Sequence, residues 1–521
     1  MTADASTLDR SARSSSALRA VPALTIASHP NAERVGDRLL LLGLAAGREV
    51  ALSRNEPEFA RPAEALGAPL ADPFVSRRPV RFVPGKEGGV TIVAQGNEVT
   101  IEGVARPSFA ISHEAITRGV ALALFDRIAL VLHMAPPQRD EGGDALGMVG
   151  QSTGIAEVRR HIMQVADVDV PVLIRGETGS GKELVARAIH EKSPRARGAF
   201  IGVNLGALSR ELAAAELFGQ KRGAFTGATQ DREGYWRAAR GGTLFLDEIG
   251  EAPPEVQVML LRALETGEVV PVGAEMPVAV DVRVVAATDA KLEEQIQKGQ
   301  FKAPLLHRLA GYEIRVPPLR ERREDIGPLF YRFAREELSR LGEGQRLVLR
   351  DPRADPWLPP ALMARLVHHP WPGNVRELRN VARQLVIGHR GHAHIAQDAW
   401  LGDAPRENDP PPPRENDPPP PRENDPQPRR RPADVSEDEL RAALREAAWD
   451  LQAAADKLGI PRPSMYDLLK KHPGIRTVMD LSGPEIAAAY EAHGGDVEAT
   501  ARTLEVSARA LKRRTKELKV G

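Results

Sequence analysis

The chain has 521 residues, enough for three or four domains, and with 42% hydrophobic residues it is globular in bulk. Lys plus Arg and Asp plus Glu each number 71, so net charge does not point to nucleic acid and any basic surface must be local. There is no cysteine, which excludes a disulfide framework and thiolate metal sites and fits a reducing compartment.

Residues 1–22 are rich in Ser and Ala without periodicity and are expected to be disordered. They lack the apolar core of a signal peptide. The longest apolar stretch, Val120 to Met134, is broken by Asp126 and Arg127, so no membrane segment is expected and the location expected is cytoplasmic.

Over 23–136 short alternating runs, such as Glu49-Val-Ala-Leu-Ser and Val90-Thr-Ile-Val-Ala, are separated by Gly, Pro and Asn turns, which predicts a β-sandwich. LSRNEPEF (Leu52 to Phe59) and LADPFVSRRPVRF (Leu70 to Phe82) are similar to the Gly-Arg and Ser-Arg segments of a forkhead-associated (FHA) domain, which binds phosphothreonine peptides. The resemblance implies that Arg54 and Ser76 grip the phosphate with Arg77 nearby, a task suited to guanidinium, and that the partner is a phosphothreonine protein or a kinase. Ser53 replaces the family's glycine, Pro79 its structural His, and no Asn-Gly-Thr follows. A sandwich that keeps the fold without the ligand is the alternative.

Residues 137–146 read as a linker. The run Val172, Leu173, Ile174, then GETGSGKE (Gly176 to Glu183), then the helical pattern of Leu184, Val185, Ala188 and Ile189 is strand, glycine loop, helix. Gly176, Gly179 and Gly181 let backbone N–H groups face a polyphosphate, with Glu177, Thr178 and Ser180 between them, and Lys182 reaches the terminal phosphates. Glu183 stands where a P-loop has Ser or Thr, so magnesium must rely on other oxygens. Asp247 and Glu248 close the apolar strand Thr243 to Leu246 and supply them: Asp247 would hold magnesium and Glu248 would polarise the attacking water.

GAFTGA (Gly223, Ala224, Phe225, Thr226, Gly227, Ala228) and the motifs from GMVGQSTGIAEVRRHI to WPGNVRELRN resemble the AAA+ ATPase of bacterial enhancer-binding proteins, the activators of sigma-54 RNA polymerase. The resemblance covers about half the chain. It implies an α/β subdomain at 147–320, a helical lid at 321–402, a hexameric ring hydrolysing ATP, and a GAFTGA tip that touches sigma-54. By the same resemblance Asn204 senses the γ-phosphate through Glu248, Thr288 lies on the first-sensor strand, Arg376 is the second sensor, and Arg308 with Lys302 supplies the neighbouring subunit's ATP. From the residues alone, Asn204 could equally be a turn residue. Lys302, Pro304, Asp289 and Arg237 depart from the usual pattern. They keep a rival open, an FHA/AAA+ scaffold that hydrolyses weakly and tunes other activators.

Residues 403–433 hold PRENDPPP repeats starting at Pro405, Pro413 and Pro421, an extended tether. Glu439 to Lys471 and Glu485 to Glu517 then align without gaps, so 434–475 and 476–521 are two copies of one all-α unit. Each has helix-turn-helix grammar, similar to the Fis-type domain that binds enhancer DNA. Arg462, Ser464, Tyr466 and Lys470 in the first copy, and Arg509, Lys512 and Arg513 in the second, are the candidate DNA contacts. A helical bundle used for dimerisation is the alternative for either.

Overall fold

The computed structural model describes residues 20–61, 66–137, 144–224, 228–349, 351–397, 399, 436–447, 449, 451–458, 460, 462–472, 475–476 and 478–518. Most of the segment expected to be disordered, the middle of the 137–146 linker, the whole proline-rich tether and the loop tip Phe225, Thr226 and Gly227 lie outside these. The chain divides into two units, Met1–Pro412 and Pro413–Gly521.

The first unit opens with two antiparallel sheets. One has six strands in the order Arg38–Leu40, Val21–Ser28, Ile128–Ala135, Val120–Leu124, Val99–Ile101, Val104–Ala105; the other has four, Val50–Leu52, Val80–Pro84, Val90–Val93, Ser108–Ile111. Alternation sets the faces: Val80 and Phe82 are buried while Arg81 and Val83, the alternate positions, are not. Leu24, Ile26, Leu122 and Leu130 from the first sheet meet Phe82 and Ile92 from the second in one core. The apolar run 120–134 is a hairpin turned at Phe125 and Asp126, both left-handed. Val21–Ser28 is buried at every position, odd and even alike, so its outer face must also be covered.

The cover is the lid. Ala27, Val35, Ala121, Ala129 and Val131 share a core with Ile326, Leu329, Phe330, Tyr331, Leu358, Met363 and Leu366, drawn from the helices Ile326–Arg340 and Pro360–His368 and the loop between them. Gly327 permits the approach, because a Cβ there would meet the Ala27 carbonyl oxygen at 2.5 Å.

Between sandwich and lid in sequence stands a parallel sheet ordered Phe200–Asn204, Thr243–Asp247, Arg283–Thr288, Val172–Arg175, Tyr312–Arg315. Val172, Leu173 and Ile174 are fully buried, one core lying on each face of the sheet, as a parallel strand requires. Among the described residues no helix is long and apolar enough to cross a membrane.

The second unit repeats itself. Helices Glu437–Glu446, Leu451–Leu458 and Arg462–Lys471 are followed by Gly483–Ala492, Val497–Thr503 and Ala508–Leu518. Capping boxes start the first helix of each, Ser436 with Glu439 and Ser482 with Glu485. The buried positions also correspond: Leu440 with Ile486, Ala455 with Ala501, Ile460 with Val506, Met465 with Leu511. Each copy closes its own core, and Arg445 of the first reaches Glu505 of the second at 2.8 Å.

Candidate nucleotide site

The loop 176–181 leaves the buried strand Val172–Arg175 and enters the helix Lys182–Glu191 through Gly181, whose φ of 108° a side chain would strain. Gly179 is as constrained: a Cβ there would stand 2.3 Å from the carbonyl oxygen of Gly373 in the lid. Lys182 Nζ donates to the Gly176 and Glu177 carbonyls at 2.8 and 3.2 Å. Burial pushes the Lys182 ammonium below the usual lysine value, and the Asp247 carboxylate opposes the shift. Thr178 Oγ1 donates to Asp289 Oδ2 at 2.7 Å, so one of the residues that depart from the usual pattern is engaged by the loop. Glu183 is exposed and lies 3.4 Å from Arg187 one turn on.

Register places the carboxylates. Strand Thr243–Asp247 pairs in parallel with Phe200–Asn204, so Asn204 lies opposite Asp247 at the same sheet edge as the loop. Glu248 follows with φ 54°, a left-handed turn that carries its side chain out of the strand direction. Burial raises the Asp247 carboxyl, with Lys182 opposing; burial also raises Glu248, with the Asn204 amide opposing. Thr288 ends the next strand, buried, its Oγ1 accepting from Ala290 N while its carbonyl accepts from Gly176 N. The structure therefore brings Gly176 to Lys182, Asn204, Asp247, Glu248 and Thr288 together at one end of the sheet.

The lid closes over them. The Arg376 β-carbon is 3.1 Å from where a Gly179 Cβ would stand, and its charge acts on Lys182. Arg308 and Lys302 are not in this cluster; they are exposed at the helix Ala303–Leu309, which packs on Pro254–Thr266. At the GAFTGA loop, Gly223 N donates to Ala228 O at 2.8 Å and Lys221 pairs with Asp231 at 2.6 Å, closing the stem below the tip.

Three residues at the loop escaped the sequence reading. Asn374 is fully buried with φ 52°; its Nδ2 donates to Glu177 Oε2 and Thr178 O, both at 3.1 Å, and its Oδ1 accepts from Leu319 N at 2.8 Å. Arg320 grips Glu177 at 2.7 and 2.6 Å, and buried Arg322 donates to Ser180 O at 3.1 Å. The position of Asn374 inside WPGNVRELRN was the available signal for it.

In the sandwich, Arg54 and Ser76 are adjacent: Arg54 N donates to Ser76 O at 3.2 Å and Arg54 Nε to Val75 O at 2.8 Å. Ser76 Oγ accepts from Arg78 N at 3.0 Å, and Arg77 is exposed. In the second unit Lys512 and Arg513 are exposed and Ser464 is half-buried; the side chains of Arg462, Tyr466, Lys470 and Arg509 lie outside the described residues.

A Sigma-54 interaction domain matches residues 148–315, an AAA+ ATPase lid domain 320–399, and a Bacterial regulatory protein, Fis family, model 431–472. Response regulator protein PilR of Pseudomonas aeruginosa is 38% identical over 68% of this chain and 76% of its own length. DNA-binding transcriptional regulator NtrC of Salmonella typhimurium is 42% identical over 53% of this chain and 58% of its own, so the chain spans little more than half of that relative. Crystalline NtrX from Brucella abortus is 30% identical, with a TM-score of 0.44 over 62% of this chain and 68% of its own. The chain belongs to the family of bacterial regulators built on the sigma-54 interaction domain.

Proposed function

We propose that the chain is an ATP-dependent activator of sigma-54 RNA polymerase that binds enhancer DNA through its second unit and assembles as a ring. The observation carrying this reading is the juxtaposition of Lys182, Asp247 and Glu248 at one sheet edge beneath a lid that presents Arg376. Backbone N–H groups of 176–182 would cradle the phosphates of ATP, with Lys182 on the terminal ones and Arg376 approaching from the lid. Magnesium fits the donors present: the half-buried Asp247 carboxylate, raised by desolvation, and the buried Ser180 Oγ, which has no protein partner among the described residues. Asp247 would hold the ion, which would neutralise charge on the phosphate oxygens. Glu248 would orient water for attack on the γ-phosphorus, and the Asn204 amide beside it would set its direction. Arg308 and Lys302, exposed and away from this cluster, suit a role at a neighbouring subunit's nucleotide.

The stem held by Gly223 and Ala228 would carry Phe225 and Thr226 to sigma-54. Regulation would enter through the sandwich as an FHA-like module, Arg54, Ser76 and Arg77 receiving a phosphothreonine. ATP turnover across a protein concentration series tests the reading, with Glu248→Gln as control and a promoter-melting assay with sigma-54 holoenzyme alongside. Turnover that rises with concentration, disappears in Glu248→Gln and opens promoter DNA supports the activator. Nucleotide binding without turnover would replace it with the weakly hydrolysing scaffold.

A further inference from the structure

The residues linking the parallel sheet to the lid, 319–325, touch three parts of the first unit within seven positions. Leu319 N is held by Asn374, Arg320 binds Glu177, and Arg322 donates to the carbonyl of Ser180, so one side of the segment fixes the phosphate loop. Arg323 Nη1 donates to Gly119 O of the sandwich at 3.0 Å, and Glu324 lies 3.5 Å from His133 in the sandwich strand Ile128–Ala135. Asp325 accepts from Gln151 N and Ser152 N, at 2.7 and 3.1 Å, and from the Ser152 hydroxyl. Gln151 in turn gives its carbonyl to Arg38 of the sandwich at 3.1 Å. Immediately beyond, Gly327 presses on Ala27.

We propose that residues 319–325 form a strap through which the docked sandwich positions the phosphate loop, so that the sandwich is a working part of the nucleotide site. Arg322 is the positioning residue at one end and Arg323 the anchor at the other. Arg322 is buried and its guanidinium donates to the Ser180 carbonyl, so close packing fixes its position and a shift of the strap is transmitted to that carbonyl. Ser180 lies between Gly179, packed against the lid, and Gly181, the left-handed entry to the helix; neither neighbour leaves slack to absorb the shift. The sandwich holds the strap directly at Gly119, stands against it at His133, and reaches it through Gln151 at Arg38; none of the three sandwich residues lies in the nucleotide cluster. Lifting the sandwich therefore weakens nucleoside triphosphate binding without removing any group from the site. The inference rests on the reading of 176–182 as a nucleotide loop.

The test uses the full chain and a fluorescent N-methylanthraniloyl ATP with magnesium. Gly327→Val drives atoms into the Ala27 backbone and opens the interface; Arg323→Ala removes the anchor while leaving Arg322, Arg320 and the whole phosphate loop intact. Each variant should bind the analogue at least about five-fold more weakly. Amide exchange should rise at 176–182 as well as at the interface strand 21–28, and Arg323→Lys should recover part of the affinity. Exchange that rises at 21–28 and 326–340 while exchange at 176–182 stays as in the parent, with affinity unchanged within two-fold, overturns the strap. If Gly327→Val fails to fold, Arg323→Ala carries the decision alone. If the parent chain binds no analogue the nucleotide reading falls, and exchange at 176–182 still decides whether the sandwich holds the loop.

Discussion

Asn374 and Glu177 share a hydrogen bond of 3.1 Å that ties the lid helix Asn374–Gly388 to the loop 176–181, and the same amide nitrogen also serves the Thr178 carbonyl. Asn374 is fully buried and left-handed, a conformation asparagine tolerates better than most side chains. Asn374→Gly keeps the backbone and deletes the amide. It should weaken ATP binding by about ten-fold, as expected when buried partners lose a hydrogen bond worth roughly 1–2 kcal/mol. Asn374→Asp should be worse, since it sets a second carboxylate against Glu177. Titration of the ATP analogue into both variants checks the order.

Glu248 differs from Asp247 in what it can lose. Asp247 lies at the strand end and its Oδ1 accepts from Glu248 N at 3.0 Å, whereas the Glu248 side chain projects from a left-handed turn toward Asn204. Glu248→Gln should preserve nucleotide affinity and cut turnover by roughly 10²–10⁴-fold, the range for a group that directs proton transfer. Asn204→Ala should lower turnover less and raise the Glu248 carboxyl further, because the amide opposes the upward shift. A pH–rate profile whose acidic limb moves to higher pH in Asn204→Ala, compared with the parent, checks this.

Part of this was legible in the sequence and part was not, for physical reasons. Loop and carboxylates follow from motifs in which backbone geometry and charge are locally encoded, and Lys182 and Asp247 lie close enough to interact; the order of the strands does not follow, since Arg283–Thr288 stands between Thr243–Asp247 and the strand that feeds the loop. Asn374, Arg320 and Arg322 act through contacts about 140 to 200 positions away in the chain, and nothing in their local pattern separates them from ordinary polar residues. Arg127 is the sharpest case. It reads as a charge breaking an apolar run, yet it is buried, paired with Asp72 at 3.1 Å and donating to the lid carbonyls of Ala354 and Pro352 at 2.6 and 3.0 Å. That another element covers this face of the sandwich is seen only in the structure, where Val21–Ser28 and Val120–Leu124 are buried at every position.

His133 and Glu324 stand 3.5 Å apart across the sandwich–lid interface without forming an ion pair at neutral pH. Burial, helped by Arg38, lowers the imidazole to about 3. Burial, helped by Asp325 and opposed by Arg38 and Arg322, raises the Glu324 carboxyl to about 8 from its ordinary 4.5. The folded chain thus holds a proton on Glu324 that the unfolded chain releases. The stability this contributes is full below about pH 4.5 and is lost as pH rises through about 8. Melting temperatures of the parent should fall between pH 6 and 8, and Glu324→Gln should flatten that fall, the gap widening by up to ~1.4 kcal/mol per pH unit. Parallel curves for the two chains would show that Glu324 is ionised in the folded state.

The duplicated second unit separates two ways of holding DNA. The helix Ala508–Leu518 carries Lys512, Arg513 and Lys516 exposed around a face anchored by buried Leu511 and Thr515, while its counterpart Arg462–Lys471 has fewer basic residues in sequence. Phosphate contacts dominate affinity and set its salt dependence, each contributing about 0.9 to the slope of log affinity against log salt. Replacing Lys512, Arg513 and Lys516 by Ala should lower that slope by about 2–3 if the second copy lies on the duplex. The core should survive, since none of the three contributes to the buried cluster. A slope unchanged by this triple replacement, with the helical content intact, would assign the phosphate contacts to the first copy and leave the second as its packing partner through Arg445 and Glu505.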